Sequence, residues 1–357
     1  MAQPWVFHVD MDMFLAAVEL LRHPELVGKP LIVGGRGDAT ERAVVSTASY
    51  EARAFGVRSG MALKIALRKC PDAILLPVDF PVYEAASTQV MDTLRAHPRA
   101  VVQVLGWDEA FVGLDTDDPE STARELQAEV LAATDLHCSI GIGDTTLRAK
   151  IATEFGKPAS GPRANEHRGV FRLTKHNWFE VMGDRPVQEL WGVGPRIAER
   201  LNALGITTVL DLAQSDDDPL ITEFGPTTGP HIGRTGRGVS TNVVDDTPWV
   251  ARAHGHEVTY QQDLTTSDEI DAALRSLAAQ VVVDLRREER ACMRVHLKVR
   301  FKPFFTFTRS RKLPEPTYDA DVVAATARAL LDKLDDDRPV RLLGIRGEMV
   351  PPEGGYA

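Results

Sequence analysis

Two short acidic stretches carry the residues best suited to chemistry. In the first, His8-Val9-Asp10-Met11-Asp12, an apolar run ends in two carboxylates. Residues 5–9 read as a buried strand, so Asp10 and Asp12 leave it two positions apart and on the same side. Bare carboxylates side by side are costly to bury. As an isolated pair they read either as a cap for the helix starting near Phe14 plus a solvated acid, or as half of a divalent-metal site. The second stretch, Asp108-Glu109, lies between the β-like apolar segments 101–105 and 110–114. Alone it would be a solvated hairpin turn. At a turn or bulge, however, both acids reach one ion, and Asp10 on a neighbouring strand completes the ligand set. Three carboxylates from separate segments suit Mg²⁺. An all-oxygen site that holds two ions serves in-line attack at a nucleotidyl phosphate.

These acids need a scaffold, and 357 residues at 43% hydrophobic content can fill several cores, two to four domains by length. No apolar run of membrane-spanning length and no leader-like N-terminus appears, so a soluble, cytoplasmic chain without a membrane partner is expected. Cys70, Cys138 and Cys292 are scattered, which predicts neither disulfides nor zinc. A net charge of -10 argues against nucleic acid for the chain as one object. The charge is sorted, however: acids crowd 114–130, 215–223 and 332–337, whereas 286–312 is basic.

Within that basic block Arg294, His296, Lys298, Arg300 and Lys302 alternate with Val295, Leu297, Val299 and Phe301. The period of two gives a strand with one apolar and one basic face, suited to tracking phosphates; the plainer alternative is a solvated strand. Amphipathic helices are predicted over 267–290 and 319–334, and strands near 254–262, 292–301, 304–311 and 340–350, a small α+β module behind a polar linker near 239–252. Upstream, "LWGVGPRIAERLNALGI" (190–206) has the form of a helix-hairpin-helix. There Gly192 and Gly194 let the backbone approach a DNA phosphate at a helix N-terminus. A plain helical hairpin is the alternative.

Five ordered motifs, "FHVDMDMFLAAVE", "VVSTASYEARAFGVRSGM", "VLGWDEAFVGLD", "SIGIGDTTLRAKIATEFGKP" and "LWGVGPRIAERL", resemble the Y-family translesion DNA polymerases of the DinB branch over about residues 5–350. The resemblance implies an α+β multidomain right hand. Its expected parts are a palm (1–12 and 79–168), fingers (13–78), a helical thumb (169–240), a linker (241–250), a little finger (251–350) and a tail (351–357). It implies that Asp10, Asp108 and Glu109 are the catalytic metal carboxylates and that Met11 offers its backbone carbonyl, with two Mg²⁺ per site and Mn²⁺ as a substitute. Asp12 is then structural. It further implies that Thr47, Tyr50 and Arg53 hold the incoming triphosphate; their spacing predicts one side of a helical segment. Lys157 joins them, with Lys150 and Arg148 as weaker candidates. Primer-template DNA and deoxynucleoside triphosphates are the implied partners of a monomeric enzyme.

Two departures from the family pattern carry expectations of their own. Relatives end in a Gln-containing, Leu/Phe-rich clamp-binding tail, whereas this chain finishes "RGEMVPPEGGYA", too little apolar surface for a peptide anchor on a sliding clamp. Relatives also place Phe or Tyr three positions after the second Asp, against the sugar. Here that position is Leu15, so ribonucleoside triphosphates are expected to enter as well, unless the adjacent Phe14 guards the sugar instead. Two other readings compete. A dehalogenase-type phosphatase shares the strand-DxD and a later "GIGDTT", but its DxD continues with small residues rather than Met13-Phe14. A catalytically silent DNA-binding scaffold would keep the fold and lose the chemistry.

Overall fold

The structure, a computed structural model, describes residues 3–158 and 169–356. Residues 159–168 of the expected palm segment, and the terminal positions 1, 2 and 357, lie outside the described residues. The chain divides into two compact units, Met1–Ala39 with Ala43–Thr247, and Thr40–Arg42 with Pro248–Ala357.

In the first unit β1 (Gln3–Met11) leads into α1 (Phe14–Arg22). Then come β2 (Leu31–Val33), β3 (Thr47–Ala48), α2 (Tyr50–Ala54), α3 (Leu63–Lys69) and β4 (Ile74–Leu76). They are followed by α4 (Phe80–Ala96), β5 (Val101–Val104), β6 (Glu109–Thr116), α5 (Pro119–Thr134), β7 (Cys138–Gly143), α6 (Thr146–Gly156) and β8 (Val170–Leu173). Five helices close the unit: α7 (Trp178–Met182), α8 (Pro195–Ala203), α9 (Val209–Gln214), α10 (Asp217–Phe224) and α11 (Thr228–Gly236).

The main sheet runs β5-β6-β1-β7-β8, with β1 antiparallel to both β6 and β7. Alternation along β1 sends Phe7, Val9 and Met11 into the core with Tyr83, Val90, Leu126 and Val130 of α4 and α5, and leaves Val6, His8 and Asp10 for the opposite face. Helix α6 covers that face. Its approach depends on Gly141, where a Cβ would meet the Ala149 carbonyl at 2.0 Å, so any larger residue would push α6 off the sheet. A second sheet, β3-β2-β4, packs Ile32, Ala48 and Leu63 into its own core.

Here the expected helical face fails. Thr47 lies on β3, because the β-branched run Val44-Val45 and Thr47 stays extended, and Thr47 pairs with Val33. Helix α2 starts only at Tyr50, capped by Ser49, so Tyr50 and Arg53 share a helix that Thr47 does not. The helix-cap alternative for the DxD pair is not realised: α1 begins after a left-handed Met13 (φ 43°) with no side-chain cap.

The second unit contains β9 (Ala253–Leu264), α12 (Ser267–Arg287), β10 (Cys292–Phe301), β11 (Phe305–Thr317), α13 (Ala320–Leu331) and β12 (Val340–Met349), with sheet order β11-β10-β12-β9. Val295, Leu297, Val299 and Phe301 are all buried against α12 and α13, worth about 1.5–3 kcal/mol per side chain. β11 runs past the expected residue 311 and through Pro314 and Pro316; at the sheet edge a missing N–H leaves no ladder bond unmade. The ends of this unit meet at Arg290, which donates to the carbonyls of Ala251 (2.7 Å) and Val350 (2.9 Å) and to the Tyr356 hydroxyl (2.6 Å). Among the described residues no helix is long and apolar enough to cross a membrane.

Candidate active site

The register of the central strands puts Asp10 directly opposite Glu109 and, on the other side, opposite Ser139. Asp108 precedes the first residue of β6, and its carbonyl accepts from the Met11 N–H at 2.8 Å, which ties the two acidic stretches together. Met11 buries its side chain in the core, so only its backbone remains for the site.

Helix α6 and its C-cap residue, Lys157, supply the counter-charges. Lys157 Nζ lies 3.2 Å from Asp10 and 2.6 Å from Glu154, and Lys150 Nζ contacts Glu109 directly. His8, buried beside them, has Nε2 3.1 Å from Glu109 and Nδ1 2.8 Å from the Thr153 hydroxyl. Burial holds the His8 pKa below its ordinary value. A neutral ring that donates from Nε2 to Glu109 leaves Nδ1 to accept from Thr153.

The three carboxylates are electrostatically unlike. Burial pushes Asp10 up to about 6 against the pull of Lys157, with Asp108 adding to the rise. Asp108 is also raised, by burial first and by Glu109 next door. Glu109 is held at about 2 by the His8 hydrogen bond and Lys150. Ligand atoms of His8, Asp10 and Glu109 lie within 4.8 Å of one another. Asp10 and Glu109 offer hard oxygen donors, and Asp108 couples to both electrostatically, a set that fits a divalent cation; such a charge would reverse the upward shifts.

Around this centre, Asp12 accepts from the Tyr50 hydroxyl at 3.1 Å and from Ser139 at 2.8 Å. Arg53 stacks 5.2 Å from the Tyr50 ring centroid and donates from Nε to the Ala48 carbonyl. Phe14 is 2% exposed inside the sheet core, whereas Leu15, one residue on, is only half-buried. Arg148, a weaker candidate, pairs with Asp144 at 2.8 Å. That contact also engages the acid of the "GIGDTT" motif, which gains a second bond from the Lys175 N–H at 3.0 Å.

Three family profiles match the chain: the impB/mucB/samB family over residues 9–154, its C-terminal domain over 251–355, and the IMS family HHH motif over 177–206. DNA polymerase IV 2 of Mycobacterium tuberculosis (strain ATCC 25618 / H37Rv) is 47% identical, with 98% of this chain and 99% of that protein covered. The chain belongs to the DinB-type Y family of DNA-directed DNA polymerases. DNA polymerase IV of Methanoculleus marisnigri is 36% identical, over 98% of this chain and 95% of that protein. The solved Y-family DNA polymerase chimera Dbh-Dpo4(243-245)-Dbh shares the fold, with a TM-score of 0.80 at 24% identity, covering 96% of this chain and 98% of that one. The right-hand α+β architecture expected from the motifs is therefore that of this polymerase family.

The structure brings Asp10, Glu109, Lys157 and the backbone of Asp108 together; Thr47, Tyr50 and Arg53 sit on the adjoining sheet and helix. Sequence reasoning gave no role to His8, Thr153 or Ser139, and ranked Lys150 below Lys157, although Lys150 touches a carboxylate. His8 was findable: it lies two residues before Asp10, and alternation puts both on one face of β1.

The two candidate DNA-contacting segments are less alike than expected. Gly192 (φ 89°) and Gly194, the N-cap of α8, have open space where a Cβ would stand, so the backbone there is approachable. On β10 the basic side chains do not form a bare cationic face. Arg294 (3.2 Å) and His296 (2.9 Å) converge on Glu348, Lys298 pairs with Glu257 at 2.6 Å, and Arg300 donates to Thr306. Neighbouring strands contribute acids that alternation within β10 cannot reveal.

Proposed function

We propose that this polymerase performs template-directed, translesion-type nucleotidyl transfer at the Asp10–Asp108–Glu109 centre. The observation that carries this reading is the strand register that sets Asp10 against Glu109, with Lys150 of α6 and Lys157 at its C-cap neutralising them. Two Mg²⁺ ions, or Mn²⁺ in their place, would be held by these carboxylates and the Met11 carbonyl, and would supply activation of the primer 3′-hydroxyl and charge neutralisation on the triphosphate. Thr47, Tyr50, Arg53 and Lys157 orient the triphosphate, and the Asp12–Tyr50 bond holds Tyr50 in place. In this reading residues 1–12 and 79–168 form the palm, 13–78 the fingers, 169–240 the thumb, 241–250 the linker and 251–350 the little finger, acting as a monomer on primer-template DNA. Primer extension with Mg²⁺ or Mn²⁺ tests it. A silent scaffold of the same fold would shift the DNA and add no nucleotide.

The half-buried Leu15, beside a Phe14 committed to the core, supports the reading that Leu15 is the residue against the sugar and that ribonucleotides are accepted. Phe14, enclosed in the sheet core, is not placed to share that task.

DNA binding in this reading is salt-sensitive and indifferent to sequence, because phosphate contacts release counterions and read no base edge. Neutralising Arg294, Lys298 and Arg300 together is expected to reduce the slope of log affinity against log salt, by less than three full contacts because Glu348 and Glu257 already engage two of the three. A slope identical to wild type would put the DNA on another surface. Clamp stimulation through the tail is expected to be weak or nil, with an internal clamp contact left open. Its one aromatic, Tyr356, lies 4.7 Å from Arg252 and 5.4 Å from Arg290 and is held against its own domain. A clamp-dependent gain in processivity that vanished on deleting 351–357 would overturn this.

A further inference from the structure

The tip of the β10–β11 hairpin places Phe304 and Phe305 side by side at the surface, 65% and 53% exposed, whereas Phe301 just before them is 1% exposed. Two adjacent open phenyl rings form an apolar patch that folding alone does not reward. Cations surround them. Arg341 lies 4.8 Å and Arg300 5.7 Å from the Phe304 ring centroid, and Arg338 lies 4.1 Å from that of Phe305. Lys302 is 66% exposed beside them. Acids offset only part of this charge: Asp336 takes Arg338, and Asp263 is 4.0 Å from Lys302. Burial and the neighbouring cations, Arg300 among them, hold Arg341 below its ordinary pKa, as crowded positive charge does.

We propose that this tip is a stacking platform for unpaired template strand: bases lie on Phe304 and Phe305, and Arg300, Lys302 and Arg341 meet the intervening phosphates. The proposal rests on the polymerase reading for the identity of the strand. Open aromatic rings among cations match the two needs of single-stranded nucleic acid, a π-face for each base and positive charge for the backbone. A duplex keeps its base faces stacked inside and would gain nothing from the rings. A protein partner would have to bring its own acids to the cations as well as an apolar pocket for the rings, whereas each nucleotide of a single strand brings a π-face and a phosphate together.

The test uses the full chain and three probes: labelled oligothymidylate of about twelve nucleotides, a primer-template with a 5′ overhang of similar length, and the same overhang with abasic positions. The variant is Phe304→Ala/Phe305→Ala, with Phe304→Trp/Phe305→Trp as the conservative partner and thermal melting as the check on folding. The alanine pair is expected to weaken oligothymidylate and the base-bearing overhang on the order of ten-fold, to leave the abasic overhang within about two-fold, and to be rescued by tryptophan. Equal loss on abasic and base-bearing overhangs would overturn the proposal, since the rings would then only shape the hairpin. No loss on any probe would also overturn it and pass the patch to a protein partner. Extension on a template with a single unpaired nucleotide reports the polymerase reading separately, so failure of one is distinguishable from failure of the other.

Discussion

Asp108→Ala is expected to leave DNA binding intact and to lower primer extension by about three orders of magnitude or more, roughly 4 kcal/mol of transition-state stabilisation. In the proposed reading the Asp108 carboxylate is a metal ligand at the place where charge is gathered around the triphosphate, and the substitution removes it. Asp108 is the informative choice. Its structural contribution, the carbonyl that accepts from Met11, belongs to the backbone and survives the substitution. Removing Asp10 would instead leave Lys157 to Glu154 alone, and removing Glu109 would take the carboxylate partner from both His8 and Lys150, so loss of activity there would mix chemistry with broken ion pairs. Extension persisting in a pure Asp108→Ala preparation would sink the assignment.

The second large effect concerns the sugar. Leu15→Phe is expected to raise discrimination against ribonucleotides by about 1–3 kcal/mol, roughly ten- to two-hundred-fold in the ratio of kcat/KM for deoxynucleotide over ribonucleotide. An aromatic ring is longer and stiffer than leucine, and a 2′-hydroxyl that an aliphatic side chain accommodates by changing rotamer would clash with it. Neighbours on a helix start diverge by about 100°, so the full burial of Phe14 and the partial burial of Leu15, which packs at the margin of the same core, follow from one geometry. Steady-state efficiencies for both nucleotide types in wild type and variant decide the matter. If the wild type already rejects ribonucleotides strongly and phenylalanine changes nothing, Leu15 is not the gate.

Much of this was legible in the chain because the informative signals were local. Alternation in 292–301 predicted β10 and its buried face, and the spacing of the DxD and DE stretches predicted carboxylates meeting on adjacent strands. What stayed hidden depends on partners distant in sequence. Glu348 and Glu257 answer the basic residues of β10 only because β12 and β9 lie on that side of the sheet. Lys150 reaches Glu109 only because two glycines of β7, Gly141 and Gly143, let α6 settle onto the strands. The helical spacing of Thr47, Tyr50 and Arg53 misled for a different reason: β-branched residues and a Ser cap place the start of α2 three residues later than the periodicity implies.

The guanidinium of Arg290 has a mechanical meaning. By gripping the carbonyls that flank the beginning and the end of the C-terminal unit, it makes that unit a closed loop whose two ends share one knot. Tension on the preceding linker is then resisted at the knot before it can peel β9 from the edge of the sheet. The same closure keeps the two borders of 248–357 side by side around one core, while Thr40–Arg42 join the unit from far upstream, with Arg42 bonded to the Tyr260 carbonyl and to Asp263.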